Sequence, residues 1–597
     1  MVSPPGMKVY QLYHKQSILA MKKLPQAVRV LFFLFRHPSL MLKIMSGTWY
    51  NGLFIVFIPK GASSMTILLK NARIYDGSGA EAITGSVLVQ DDRIVQLGDC
   101  TDALADEIID LHGLSLAPGF IDAHSHNDWF AMKNEPLKYF DPFIRQGITT
   151  FVTGNCGLSA VGFDKDTPHA DLIGGGLFFH KDTTGPHGEL KDYFAAVDGH
   201  MPCNMAVLAG HCTARAAASG SVNRPLTPEE ETRMLDMLET ALQQGAAGIS
   251  LGLMYDPGLY AQTDELKKVA RLCEKYDRPL TVHPRANSAV SMSYPELLGR
   301  SHLLRAVDEL AEIAHGTRLK LHYSHAIFVG RNSFKDKAEL LEIINHLRDQ
   351  GVDAMFDIYN ETLGVSVITV ILPAWYQAMT PEERRKPLNR LKLAVLVHAS
   401  SLLLGFGFKD IQIAYIGPGY EKYEGRTVHE IAKAEGLSDL KAYLMLCEKS
   451  NFQGRVNMGP YSTPEIIHDF ERNDLCLYMT DAWVEDEGVQ NPAIYDCFPK
   501  FLRDALLGDG DTLSRTIRKM TGATAERFML KDRGYIRPGC HADLVVFDED
   551  AIRSATPDQE KSFGIEKVFI NGKLVLDNGL LDAGALKTTG RALPVNI

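Results

Sequence analysis

The sequence predicts an α/β protein: a (β/α)8, TIM-like barrel plus a small β-sandwich domain built from both ends of the chain. Three observations carry this expectation. Eight short apolar runs alternate with amphipathic helical segments between residues 118 and 482. Shorter β-like runs, punctuated by Gly, Asn and Asp, gather instead at 65–116 and again at 534–597. The C-terminal ends of the eight apolar runs, which share one rim in such a barrel, carry histidines, a cysteine and an aspartate.

Residues 1–64 hold the apolar segments QAVRVLFFLFRHPSLMLKIM and GLFIVFIP, interrupted by Arg36, His37 and Lys43. No uncharged apolar stretch reaches the ~18 residues of a membrane span, and no small-residue cleavage site follows. Two readings stand: an extension outside the native protein, which then starts at Met65, or a weak peripheral anchor. From Met65, MTILLKNARIYDGSG reads as strand and turn and opens the small β domain, assigned to 65–117 and 534–597. The barrel takes 118–533, with strands expected at 118–126, 148–155, 204–211, 246–253, 279–285, 318–325, 352–359 and 475–482. LTPEEETRMLDMLETALQQG is the clearest helix. Thr227 and Glu230 form a capping box, Pro228 takes the first position, Gly245 ends it, and Leu235, Leu238 and Leu242 line one face. The long connection at about 360–474 is expected as an insertion near the site mouth, with TPEERRKPLNRLKLAVL as a helix.

The 597 residues are 23% charged and 45% hydrophobic, an ordinary globular balance, with a net charge of −11. That acidity, with no basic patch interleaved with aromatics, argues against a nucleic-acid partner. Nine scattered cysteines without a CxxC pair predict a reducing, cytoplasmic compartment.

The first run ends in His124 and His126, which alternation places on one face with Phe120 and Asp122. The second is followed by Cys156. Later runs end at His211, His283, His325 and Asp481. Imidazole, thiolate and carboxylate donors suit zinc. His211 reads equally as a ligand or as hydrogen-bonded support, and with Tyr255 it is a candidate to stabilise an oxyanion. His322, odd-spaced from His325, is expected to face the helices. A metal at this rim would generate a bound hydroxide near neutral pH and polarise a substrate carbonyl. Asp481 would serve as general base and then hand the proton to the leaving nitrogen. The expected chemistry is hydrolysis of a C–N bond without a covalent intermediate.

The motifs APGFIDAHSHND, TGNCGLS, GHCTAR, GISLGLMYDPGLYA, VHPR, YSHAIFVG, LPAW, YMTDAW and RPGCHADLVVFD, in this order, resemble the amidohydrolase superfamily. Within it they resemble the N-acyl-D-amino-acid deacylases, or D-aminoacylases, from about Met65 to the end of the chain. The resemblance implies zinc, one ion tightly bound and a second site weaker. It implies that His124 and His126 serve the first metal position, with Asp481 shared between that position and catalysis. Cys156 is implied to bridge or anchor the second, with His283 and His325 as the other ligands of the tight zinc. Tyr255 matches a substrate-binding tyrosine. Two departures stand out. A lysine implied two residues after the ligand histidine is Ile327 here, and an arginine after the catalytic aspartate is Ala493. Those cations are implied to hold the substrate carboxylate, each worth ~1.5–3 kcal/mol. A linear amide is therefore expected, with an N-acyl-D-amino acid and a neutral or larger amide both open as substrates. Arg285 is assigned to substrate binding, and Arg331 or Lys500 are further candidates to replace the lost cations.

Two other readings compete. One is a cyclic amide hydrolase resembling dihydropyrimidinases and dihydroorotases, which bridge two metals with a carboxylated lysine on the fourth strand. AAGISLGLMYDPGLYAQ holds no lysine. The other is a non-catalytic metal-binding scaffold, against which stands the complete donor set.

Overall fold

The computed structural model describes residues 47–50, 53–56, 64–100, 103–173, 188–291, 293–294, 299–377, 379–556 and 563–595. The expectations for residues 1–64 therefore fall almost wholly outside the described residues. Gly47–Tyr50 and Leu53–Val56 pair antiparallel in a unit of their own.

The barrel strands are β1 (Phe120–Asp122), β2 (Ile148–Thr153), β3 (Asn204–Gly210), β4 (Gly248–Gly252), β5 (Pro279–His283), β6 (Lys320–Tyr323), β7 (Met355–Ile358) and β8 (Cys476–Tyr478). They pair in sequence order, each parallel to the next. Main-chain bonds from Ala123 N–H to the Tyr478 carbonyl (3.2 Å) and from Asp481 N–H to the His124 carbonyl (3.1 Å) bring β8 back to β1. Every residue of β2 to β5 is buried, as parallel strands covered on both faces must be.

The helix Pro228–Gln243 forms with both bonds of its capping box. Its buried stripe is Met234, Leu238, Ala241 and Leu242, so Leu235 lies at the margin of the face. In the insertion, strands Gly364–Val367 and Ile411–Tyr415 both pair antiparallel with Arg455–Met458. The single helix expected there is two, Pro381–Arg385 and Pro387–Leu404. Pro387 cannot donate into the first helix and forces Lys386 out of helical geometry (φ −61°, ψ 131°), then serves as the first residue of the second.

Strands from both chain ends make one nine-stranded sheet. Its seam is Ser115–Pro118, parallel to Thr66–Ile74 on one side and antiparallel to Leu544–Phe547 on the other. Leu69, Val87, Ile94, Leu116, Leu544 and Val546 share its core. The last residues leave this sheet. Gly590, Leu593 and Val595 donate to the carbonyls of Met201, Met205 and Gly245, along the entry to β3 and β4. Among the described residues, no helix is long and apolar enough to cross a membrane.

Candidate metal centre

β1 stops at Asp122, so strand alternation alone does not aim His124 and His126. The Asp122 carboxylate does. It accepts the His124 N–H (3.1 Å), the Thr480 N–H (3.0 Å) and the Thr480 hydroxyl (2.6 Å), tying the segment that carries both histidines to the one that carries Asp481. Burial pushes its pKa up to about 7 against those bonds. Three donor residues sit in the left-handed backbone region: Cys156 (φ +54°), His325 (φ +38°) and Asp481 (φ +46°). Such conformations cost ~1–3 kcal/mol each and concentrate where side chains must be aimed.

The donors converge. Cys156 Sγ lies 3.4 Å from His124 Nε2, 3.5 Å from His283 Nδ1 and 3.6 Å from His325 Nε2. Asp481 Oδ1 lies 3.5 Å from both His124 Nε2 and His126 Nε2. Two groups result, His124–His126–Cys156–Asp481 and Cys156–His283–His325, each with donor atoms within 4.8 Å of one another and with Cys156 in both. A tetrahedral zinc with its usual bond lengths holds nitrogen and sulfur ligands about 3.5 Å apart. The observed spacings match that edge, so the residues present fit the ion. Five of the six side chains are buried; Asp481 alone keeps 22% exposure.

The electrostatics agree. Burial pushes the Cys156 thiol up, but the His124 and His283 rings outweigh it and hold the thiol well below its ordinary range. Burial lowers His124 and His126, yet the negative charge beside them prevails: Cys156 and Asp481 hold His124 well up, and bonds to Asp481 and Cys156 raise His126 to about 9. A thiolate and a carboxylate thus stand ready for positive charge.

Asp357 is among the members of the site that the sequence did not single out. Fully buried near the end of β7, it accepts His322 Nε2 (2.9 Å) and the His325 N–H (2.5 Å), and lies 3.5 Å from His124 Nδ1. It therefore touches one ligand from each group. His322 accordingly does not face the helices. β6 ends at Tyr323, and the left-handed turn at His325 breaks the alternation on which that expectation rested. An aspartate inside the apolar run MFDIY was the available signal, since a buried carboxylate needs partners.

Two further candidate residues are held by protein partners. His211 opens the helix His211–Ser219 and belongs to neither ligand group; its Nε2 is bonded to Glu265 Oε1 (2.8 Å), which also accepts Arg215 Nε (3.1 Å). Arg285 is already engaged within the protein. Its three nitrogens are spent on Glu309 (two bonds of 2.9 Å) and on the carbonyls of Leu259 and Ala261. The other candidate cations are also paired, Arg331 with Asp410 and Lys500 with Glu361 and Asp496.

Tyr255 packs its ring 4.6 Å from His283. Burial, then the charges of Cys156 and Asp481, keep its hydroxyl protonated far above its ordinary range. Tyr359 and Tyr461, not singled out by sequence, are buried phenols held up in the same way by burial and the Asp481 charge. Ile327 is buried with its N–H on the His325 carbonyl (2.7 Å), and Ala493 begins the helix Ala493–Leu507.

A model of the amidohydrolase family matches residues 107–392 and 490–576. A D-aminoacylase of Alcaligenes xylosoxydans xylosoxydans is 28% identical over 527 residues, covering 85% of this chain and 93% of the relative. Among solved structures, a D-aminoacylase superposes with a TM-score of 0.71 at 27% identity, over 88% of this chain and 99% of its own. An N-acyl-D-glutamate deacylase from Bordetella bronchiseptica, solved with zinc and a phosphonate mimic of the tetrahedral intermediate, gives 0.70 at 27% identity, with the same shares.

Proposed function

Because the chain belongs to the amidohydrolase family, we propose that it is a zinc-dependent deacylase of linear N-acyl compounds in which Asp481 moves the proton. The chain is a hydrolase of carbon–nitrogen bonds other than peptide bonds. The observation that carries the finer reading is the pair of ligand groups sharing Cys156, with Asp481 as their one partly exposed member.

Zinc held there supplies a Lewis acid and a water whose pKa falls near 7. His124, His126, His283, His325 and Cys156 would hold the ion, and Asp357 fixes the ring of His124 and the turn of His325. Asp481 Oδ1 takes the proton of the attacking water and delivers it to the departing nitrogen. Its exposure gives that oxygen access to the substrate side. Tyr255, a phenol at any working pH, donates a hydrogen bond to the carbonyl oxygen as negative charge grows on it.

At the far end of the substrate, Ile327 and Ala493 offer no charge, and Arg285, Arg331 and Lys500 are already paired. Three phenols, Tyr255, Tyr359 and Tyr461, feel the Asp481 charge instead. We read the preferred substrate as a linear amide whose far end is neutral. One relative named above is an N-acyl-D-glutamate deacylase, so the test is a matched panel: N-acetyl-D- and N-acetyl-L-amino acids against their C-terminal amides. The neutral amides should give the higher kcat/KM. A tenfold preference for the free D-acids would overturn the neutral-end reading and leave the hydrolytic one standing. The cyclic reading draws only on shared fold: a dihydropyrimidinase superposes at a TM-score of 0.52 with 13% identity, and β4 offers no lysine.

A further inference from the structure

Asp481 is followed by a loop, residues 482–490, that is held from two sides. On one side lies the insertion. Arg455, first residue of the strand Arg455–Met458, reaches three points of the loop. Its Nη1 pairs with Glu485 Oε2 (3.0 Å), and its Nη2 donates to the carbonyls of Glu487 (2.7 Å) and Val489 (3.2 Å). The Val489 N–H donates in turn to the Ala414 carbonyl (2.9 Å), in the strand Ile411–Tyr415. The two backbones meet at Gly488, which has a φ of +82° and where a Cβ would run into the Ala414 carbonyl oxygen. On the other side, Asp486 accepts the Tyr139 hydroxyl (2.6 Å), Lys138 Nζ (2.7 Å) and Lys133 Nζ (3.3 Å), all from the segment that follows His126.

The insertion's grip continues to the metal rim. Glu485 has a partner on each oxygen: Oε2 pairs with Arg455, and Oε1 accepts Trp483 Nε1 at 2.7 Å. The Trp483 ring stands perpendicular to that of His126, with centroids 5.5 Å apart, and His126 Nε2 lies 3.5 Å from Asp481 Oδ1. Tying the loop to the insertion needs only the carbonyl bonds. The Glu485 carboxylate adds a link that ends on a candidate ligand ring. Its charge and that of Arg455 keep only 16% and 13% exposure, so removing either leaves the other buried and unmatched. Asp481 itself sits at φ +46°, a conformation that persists only where its surroundings over-determine it. His126 belongs to the group with Asp481 and not to the group Cys156–His283–His325, so the chain of contacts acts on one group of the two.

We propose that Arg455 is a positioning residue for hydrolysis: through Glu485 and Trp483 it fixes His126 and Asp481, which makes the insertion a working part of the rim. The proposal rests on the reading of Asp481 as the proton carrier. Arg455→Met keeps the stem and removes the charge. Its kcat on an N-acyl substrate of the panel above should fall ~10- to 100-fold, with KM held within about twofold. Loaded with cobalt(II), the variant should show altered ligand-field bands and a retained thiolate-to-cobalt band, because Cys156 lies off the path. Arg455→Lys, still able to pair with Glu485, should recover most of the lost kcat. Trp483→Leu leaves the Arg455–Glu485 pair in place and should reproduce both the kcat loss and the cobalt change, which keeps the test open if Arg455→Met fails to fold. Unchanged kcat and an unchanged cobalt spectrum overturn the proposal. So does a loss that Arg455→Lys leaves unrepaired, or a rise in KM with kcat intact, which would give Arg455 to substrate binding. Full turnover in Asp481→Asn would instead remove Asp481 from proton transfer, and the cobalt spectrum of Arg455→Met would still decide whether Arg455 fixes His126.

Discussion

At the entry to β3, Asp543 accepts bonds from Arg533, from Asn204 Nδ2 (3.2 Å) and from the Asn571 N–H (2.8 Å). Asn571 in turn bonds Arg533, Asn204 and the Thr589 carbonyl. At the opposite end of the barrel, four buried imidazoles each stand 3.4–3.6 Å from the Cys156 thiol or the Asp481 carboxylate. Both regions are polar and water-poor, but the first exhausts its donors and acceptors within the protein and the second aims them at a shared centre. The first joins the β domain to the barrel. The second stores strain and charge that only a cation and a substrate relieve. Polar burial by itself therefore does not mark a site; convergence without mutual satisfaction does.

The largest effect expected from breaking this contrast is at Asp481. Asp481→Asn should cut turnover by ~10³-fold or more while the zinc content of the purified protein holds. Retained turnover would move the proton-transfer role elsewhere. Cys156→Ala removes the donor common to both groups, and zinc affinity by competition with a chelator should fall by more than ~100-fold; an unchanged affinity would make Cys156 a packing residue. Asp543→Ala should do the reverse: ~3–5 kcal/mol lost in urea unfolding, from charges left unpaired, with zinc bound per folded molecule unaltered. Loss of zinc from that variant would couple the two ends.

Glu471 sharpens the comparison, being a buried carboxyl outside the rim. Burial, then its neighbour Asp504, push its pKa up to about 10. The folded state keeps a proton that the unfolded chain releases above the ordinary value of 4.5. Its stabilising contribution is complete below that pH and is lost as pH climbs toward the folded value. Glu471→Gln should therefore gain up to ~3 kcal/mol over the parent on going from pH 4 to pH 7. Equal differences at both values would assign the change to packing. The smallest effect is at the rim's periphery: Ile327→Lys should lower KM for N-acetyl-D-amino acids about tenfold, the worth of one charge-assisted bond. No change in KM would show that the carboxylate lies elsewhere.

The eight barrel strands were legible because each is a short apolar run bounded by turn residues, and parallel strands must be apolar on both faces. The donors were legible because they end those runs. Asp122 and Asp357 were not, since an aspartate at a strand end reads as a turn until its acceptor bonds are seen. Arg285 shows the complementary case: its charge is written in the sequence, but its bonds to the carbonyls of Leu259 and Ala261 and to the Glu309 carboxylate are not. Pro387 did announce the helix break, and the apolar periodicity running through it concealed the signal.

The bond between Asp122 and Thr480 spans 358 positions of the chain, and that distance sets an order of assembly. Cys156, His283 and His325 have all been synthesised two residues after β6, whereas the group containing His124 and His126 waits for Asp481 just past β8. Domains fold on the ribosome from the N-terminus onward. A nascent chain thus carries one full trio of donors well before Asp481 exists, so that the two groups sharing Cys156 are completed at separate moments in the protein's own birth.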